Sequence, residues 1–173
     1  KKWQLHFDNN QLINVDCIVI CAAKGTEILL DPLGYYQPME PVIGQVLKLK
    51  VETNDFAWLG WPAVLIYNGI NLIPQENNEI LMGATLEPGE KESKACLNEM
   101  LHMQGLSPEW LQKAKVLGHW KGIRMKPINQ PAPLLKHLEP GLILNTGHYR
   151  NGILLAPACA EWVAEAISKD TTS

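Results

Sequence analysis

The apolar run Cys17-Ile18-Val19-Ile20-Cys21-Ala22-Ala23 constrains this 173-residue sequence more than any other feature. It has strand length and does not alternate with polar residues, so it fits a strand covered on both faces, as in a parallel sheet. Nothing beside it supplies the neighbours. Trp3 to Phe7 and Gln11 to Val15, on either side of Asp8-Asn9-Asn10, read as a strand, a turn and a strand. Far along the chain, Leu142 to Asn145 leads through Thr146-Gly147-His148-Tyr149-Arg150-Asn151-Gly152 into a mostly apolar segment from about Ile153 to Ile167. That is a strand, a tight glycine loop and a helix, in the same fully buried α/β style as the Cys17 run.

The middle follows a different pattern. Val46-Leu47-Lys48-Leu49-Lys50-Val51 alternates, which predicts a half-buried antiparallel strand with its lysines outward. Ala63 to Tyr67 and Ile70 to Pro74 flank Asn68-Gly69, a hairpin signal because both central residues need positive φ. A second turn at Glu76-Asn77-Asn78 leads into a strand from Glu79 to Thr85, and Trp120 to Lys126 reads as a further strand. Lys91 to Met103 is helical in composition, while Ser107-Pro108-Glu109-Trp110 supplies a hydroxyl cap, a first-turn proline and an acid for a second helix. The proline-rich stretch Asn129 to Pro140 reads as a loop. The fold class expected is α+β: a mostly antiparallel sheet with inserted helices, framed by terminal α/β pieces.

Composition removes several function classes. A formal net charge of -3 without runs of like charge gives no footprint for nucleic acid or an anionic membrane. No stretch approaches the roughly 20 apolar residues of a membrane span, so a cytoplasmic setting is expected. Cys17, Cys21, Cys96 and Cys159 lack the spacing of a zinc site or redox dithiol and are read as buried thiols. Cys17 and Cys21 would stand about 13 Å apart along an extended strand, too far to share a metal. No metal site and no nucleophile motif is expected.

Four segments carry a resemblance. Pro41-Val42-Ile43-Gly44-Gln45-Val46-Leu47 is similar to a Pro-Val-Arg-Gly-Gln strand entry, and Ile80 to Glu87 to a Val-Val-Gly-Ala-Thr strand. Trp120-Lys121-Gly122-Ile123-Arg124 is similar to Trp-x-Gly-Leu-Arg-Pro, and Gly147 to Pro157 is very close to a glycine loop of known type. In this order they resemble the D-amino-acid oxidase family, and within it the glycine oxidase branch. The resemblance implies an FAD-dependent oxidoreductase in which a small amine or amino acid loses a hydride to the flavin, with molecular oxygen as the reoxidant.

It also implies roles for individual residues. The two arginines of the chain, against thirteen lysines, are Arg124 and Arg150, and both stand on matching positions. Arg124 is expected to hold the substrate carboxylate, Arg150 to lie beside the substrate, and Asn71 to occupy the place of an active-site tyrosine. Gly147, His148, Tyr149, Arg150, Asn151, Gly152, Ile153 and Leu154 are expected to line the cofactor, His148 through its backbone. No side chain is assigned as catalytic acid or base. The sequence departs from the pattern at Lys24 after the buried run, at Met125-Lys126 between Arg124 and Pro127, and at Gln75 in place of an arginine.

The domain division that follows is 1–35 and 128–173 as parts of a discontinuous FAD-binding domain, with 36–127 as the substrate-binding antiparallel domain. The earlier half of the first domain is expected outside this sequence. A divergent, non-catalytic flavoprotein acting in assembly or partner binding is the alternative, and a stand-alone antiparallel binding domain a third reading. The apolar composition leaves room for a homo-oligomer.

Overall fold

A computed structural model describes residues 2–52 and 61–171. The part of the 36–127 division that falls on 53–60 lies outside the described residues. The chain separates into two compact units, one made of Lys1–Glu40 with Arg124–Ser173, the other of Pro41–Ile123. The architecture is α+β with mostly antiparallel sheets.

In the first unit, β1 (Trp3–His6) and β2 (Leu12–Val15) form an antiparallel hairpin, with Trp3 opposite Val15. β3 (Ile18–Ile20) falls inside the apolar run, and α1 (Thr26–Leu30) follows shortly after it.

β4 (Met39–Lys50) carries the chain into the second unit, and β5 (Leu65–Tyr67), β6 (Ile70–Pro74), β7 (Glu79–Gly83) and β8 (Glu87–Pro88) join it in the order β5-β6-β7-β4-β8. The turn between β5 and β6 is the expected one, with Asn68 at φ 47 and Gly69 at φ 77. Leu47 stands opposite Met82 and Leu49 opposite Ile80, while Lys48 points the other way into a 2.6 Å ion pair with Glu79. The period-two alternation therefore sets one face of the sheet. That face closes over α2 (Lys94–Leu101) and α3 (Glu109–Gln112), where Met100 and Leu111 join Leu47, Leu49, Leu72, Ile80 and Met82 in one core. Full burial of each such side chain is worth about 1.5–3 kcal/mol.

The start of β4 is buried at four successive residues, Val42 to Gln45. Gln45 is 1% exposed and fully partnered: its Nε2 donates to Glu87 Oε1 at 2.8 Å and to Ser93 O at 3.0 Å, and its Oε1 pairs with His119 Nε2 at 2.9 Å. Thr85 Oγ1 also donates to the Glu87 carboxylate, and Ser93 N donates to it at 2.6 Å. Burial by itself would raise the Glu87 carboxyl, but the hydrogen bonds from Thr85, Gln45 and the Ser93 backbone outweigh it and hold it below its ordinary value. Ser93 in turn caps α2, accepting from Cys96 N at 3.3 Å. The buried acid thus fixes where that helix begins.

β9 (Lys115–Pro127) pairs with β4, and its last residues return the chain to the first unit. There β10 (Leu134–Glu139), β11 (Leu142–Thr146) and β3 form a sheet in the order β10-β11-β3, with β11 parallel to β3 and antiparallel to β10. Leu142, Ile143 and Leu144 are fully inaccessible, as a central strand covered on both faces requires. α4 (Gly152–Thr171) closes the chain. Near its end Asp170 accepts from Gly141 N and pairs with His137 Nε2, both at 2.8 Å, which ties the helix to the β10–β11 hairpin.

Three expectations need correction. Asn129 to Pro140 is not all loop: Leu134–Glu139 is a strand, because Leu134 and its neighbours find a partner in β11 that local composition does not announce. Ser107 is not a helix cap; the N-cap position is Pro108, without a side-chain cap, and the buried Ser107 Oγ has no partner among the described residues. Of the four cysteines only Cys159 is buried. Cys17 and Cys96 are partly covered and Cys21 is exposed, since Cys21 lies beyond the end of β3.

Candidate functional site

The residues singled out in the sequence fall into two groups. Arg124 and the loop Gly147 to Leu154 belong to the first unit; Asn71 sits in β6 of the second, opposite Ile66 and Gly83.

The loop leaves β11 through Thr146, which is 2% exposed and bonds to the equally buried Thr26 hydroxyl at 3.0 Å. Gly147 follows at φ +63, and a Cβ there would stand 2.9 Å from Pro127 Cγ and 3.3 Å from Met39 Sδ. Only glycine meets both conditions. Asn151 N donates to His148 O at 3.2 Å, closing a turn that contains Tyr149 at φ 53. Leu155 N donates to Asn151 O at 2.9 Å as α4 begins. The first N–H groups of a helix have no acceptor within it and carry the positive end of its dipole. Ile153 and Leu154, in this first turn, are 96% and 79% exposed, an apolar wall turned outward beside those donors.

Arg124, near the end of β9, is partly buried, and its buried Nη1 has no hydrogen-bond partner among the described residues. Burial pushes its guanidinium below the ordinary value, the charge of Arg150 pushes it the same way, and Tyr149 opposes them. An anion with two acceptor oxygens would satisfy the orphaned donor and offset the charge of the guanidiniums. Lys126 lies two residues further along the same strand; its Nζ is 2.6 Å from Glu40 Oε1 and 6.0 Å from the centre of the Tyr149 ring. Sequence reading noted Lys126 only as a departure from the motif and did not find its pairing with Glu40. They are 86 residues apart, and no local pattern joins them.

A family model described as FAD dependent oxidoreductase matches residues 1–166. The glycine oxidase of Pseudomonas putida is 35% identical over 164 residues, which is 91% of this chain and 43% of that protein. The structure of glycine oxidase from Geobacillus kaustophilus superposes with a TM-score of 0.78 at 25% identity, covering 96% of this chain and 45% of that one. An iminodiacetate oxidase from Chelativorans sp. BNC1 shares the fold, with a TM-score of 0.81 at 23% identity over 96% of this chain and 46% of its own. The chain spans less than half the length of each of these relatives.

Proposed function

Since the chain belongs to the family of FAD dependent oxidoreductases, we propose that it forms the substrate-side part of an enzyme that oxidises a small amine or amino acid, in the manner of the glycine oxidases. The observation that carries this reading is Arg124, with an unpaired buried Nη1 and a second guanidinium, Arg150, beside it.

A substrate carboxylate supplies what this site lacks. It gives Arg124 two parallel acceptors and neutralises the repulsion between the two arginines. Held at Arg124, the amine-bearing carbon is fixed in one orientation, and fixing a reacting atom accounts for a large part of catalysis. Arg150 takes the second position around the carboxylate, and Asn71 is assigned to substrate on the strength of the sequence pattern.

The residues fit the cofactor of the family. The loop from Gly147 through His148, Tyr149, Arg150, Asn151 and Gly152 ends on the donor-rich start of α4, which favours the anionic edge of a reduced flavin. The outward side chains of Ile153 and Leu154 offer an apolar surface to a ring. The chemistry FAD supplies when bound is acceptance of a hydride from the amine-bearing carbon, with molecular oxygen as the reoxidant. In this reading the expected FAD-binding parts, 1–35 and 128–173, and the expected substrate-binding part, 36–127, are supported by a division into two compact units whose boundaries fall nearby, at Glu40/Pro41 and Ile123/Arg124.

The test is oxygen consumption and peroxide release by the full-length, flavin-loaded protein with a panel of small amino acids and amines. Turnover that collapses in Arg124→Ala is the expected result. A firmly held flavin that no member of the panel reduces would favour a non-catalytic relative.

A further inference from the structure

We propose that Lys126 is a positioning residue for the glycine loop: tied to Glu40, its ammonium seats the Tyr149 ring and so fixes the turn that presents Arg150 beside Arg124. The part of this inference that concerns substrate rests on the function proposed above; the part that concerns the loop does not.

The geometry comes from the ends of two strands. β4 begins with Met39 and Glu40, and β9 ends with Lys126 and Pro127. Each pair gives the loop one apolar and one charged contribution. Met39 and Pro127 close on Gly147, where a Cβ would be 3.3 Å and 2.9 Å from them. Glu40 and Lys126 form a 2.6 Å ion pair, and Lys126 Nζ lies 6.0 Å from the Tyr149 ring centre. The loop is therefore held at two residues, Gly147 by packing and Tyr149 by charge.

Tyr149 is where a hold is needed. It stands at φ 53, a conformation that costs a side-chain-bearing residue free energy and persists when its surroundings impose it. Arg150 follows it directly, so the direction of Arg150 depends on that turn. Residues two apart on a strand share a face, which puts Lys126 on the face of Arg124, while Met125 and Pro127 are buried on the other. An exposed lysine ion pair contributes little by itself. Here the same cation also meets an aromatic face, and a cation there is attracted by the ring quadrupole. The sequence pattern described above has proline directly after the arginine. Met125-Lys126 intervene in this chain.

The experiment compares Lys126→Met, Lys126→Arg and Glu40→Gln in the full-length, flavin-loaded protein. Amide hydrogen exchange of a peptide covering 147–152 should quicken about threefold to tenfold in Lys126→Met, the span that a cation over a ring with one ion pair supplies, while peptides from β11 stay unchanged. Lys126→Arg should restore the parent rate, and Glu40→Gln should fall between. KM for a carboxylate substrate should rise with the exchange rate, with kcat within about twofold, because uniform binding is lost and transition-state contacts are not. In a Tyr149→Leu background Lys126→Met should add nothing, since the ring it acts through is gone. Unchanged exchange in Lys126→Met overturns the proposal, and so does a Lys126→Arg variant that behaves like Lys126→Met. If the parent turns over no amino acid, the proposed function falls and the exchange measurements still decide the role of Lys126. If the methionine variant does not fold, the arginine and Glu40→Gln variants carry the same comparison.

Discussion

The Glu87 carboxylate accepts a 2.8 Å hydrogen bond from the Gln45 amide at a place in the sheet where the two residues are 4% and 1% exposed. A buried acid keeps its charge only when donors replace the water it lost. Thr85, Gln45 and the Ser93 backbone do so here, and through Ser93 the same carboxylate anchors the start of α2.

Glu87→Ala should therefore destabilise the protein by about 3 kcal/mol, since it strands the Thr85 hydroxyl and the Ser93 N–H in the interior. Urea titration measures it, and a loss under about 0.5 kcal/mol would mean that water reaches these donors.

The same residue sets a pH dependence. Its folded carboxyl is held below the ordinary value, so its contribution to stability is complete above the unfolded-state value, near 4.3. That contribution is lost as pH falls through the depressed folded value. The parent should lose stability on acidification more steeply than Glu87→Gln, which carries no titrating group at this position. Denaturant midpoints between pH 7 and pH 3 decide it, and parallel profiles would remove the linkage.

Gly147→Ala should cost about 2–4 kcal/mol. A methyl group there meets the Pro127 ring, which cannot swing aside, and it also occupies a left-handed backbone conformation. The thermal midpoint should fall by several degrees. A midpoint unchanged from the parent would show that the loop relaxes away from Pro127.

Ser107→Ala should leave stability within about 0.5 kcal/mol of the parent or raise it, because the buried hydroxyl has no partner to lose. A capping hydroxyl would instead cost about 1 kcal/mol on removal. The substitution separates the two roles directly.

Arg124→Lys should lower kcat/KM for a carboxylate substrate by roughly one to two decades while flavin binding stays as in the parent. Lysine keeps the charge but exchanges a planar two-pronged donor for a point donor on a flexible stem, and a charge-assisted hydrogen bond is worth about 1.5–3 kcal/mol. Arg124→Ala should cost more, since the carboxylate is then desolvated without a partner. Steady-state oxygen consumption with each variant is the measurement. Efficiency within about twofold of the parent in Arg124→Ala would end the carboxylate role.

The sequence by itself determined the elements whose cause is local. The lysines of β4 alternate because one face of its sheet is wet, Asn68-Gly69 turns because those residues adopt positive φ, and the Cys17 run supplies β3 to a parallel pair, although Ile20 alone of that run is buried rather than the whole run as expected. The order of four motifs made the family legible. Tertiary structure decided what depends on contact between distant residues. Leu134–Glu139 is a strand because β11 lies beside it, and Cys21 is exposed because it lies past the end of β3. Ser107 lost its capping role because Pro108 takes the N-cap position. Glu40 meets Lys126 across 86 positions of chain, and Gln45 meets Glu87 across 42. Such pairings are set by how strands are ordered and registered in a sheet, and the free energy of a strand resides in its neighbours more than in its own residues.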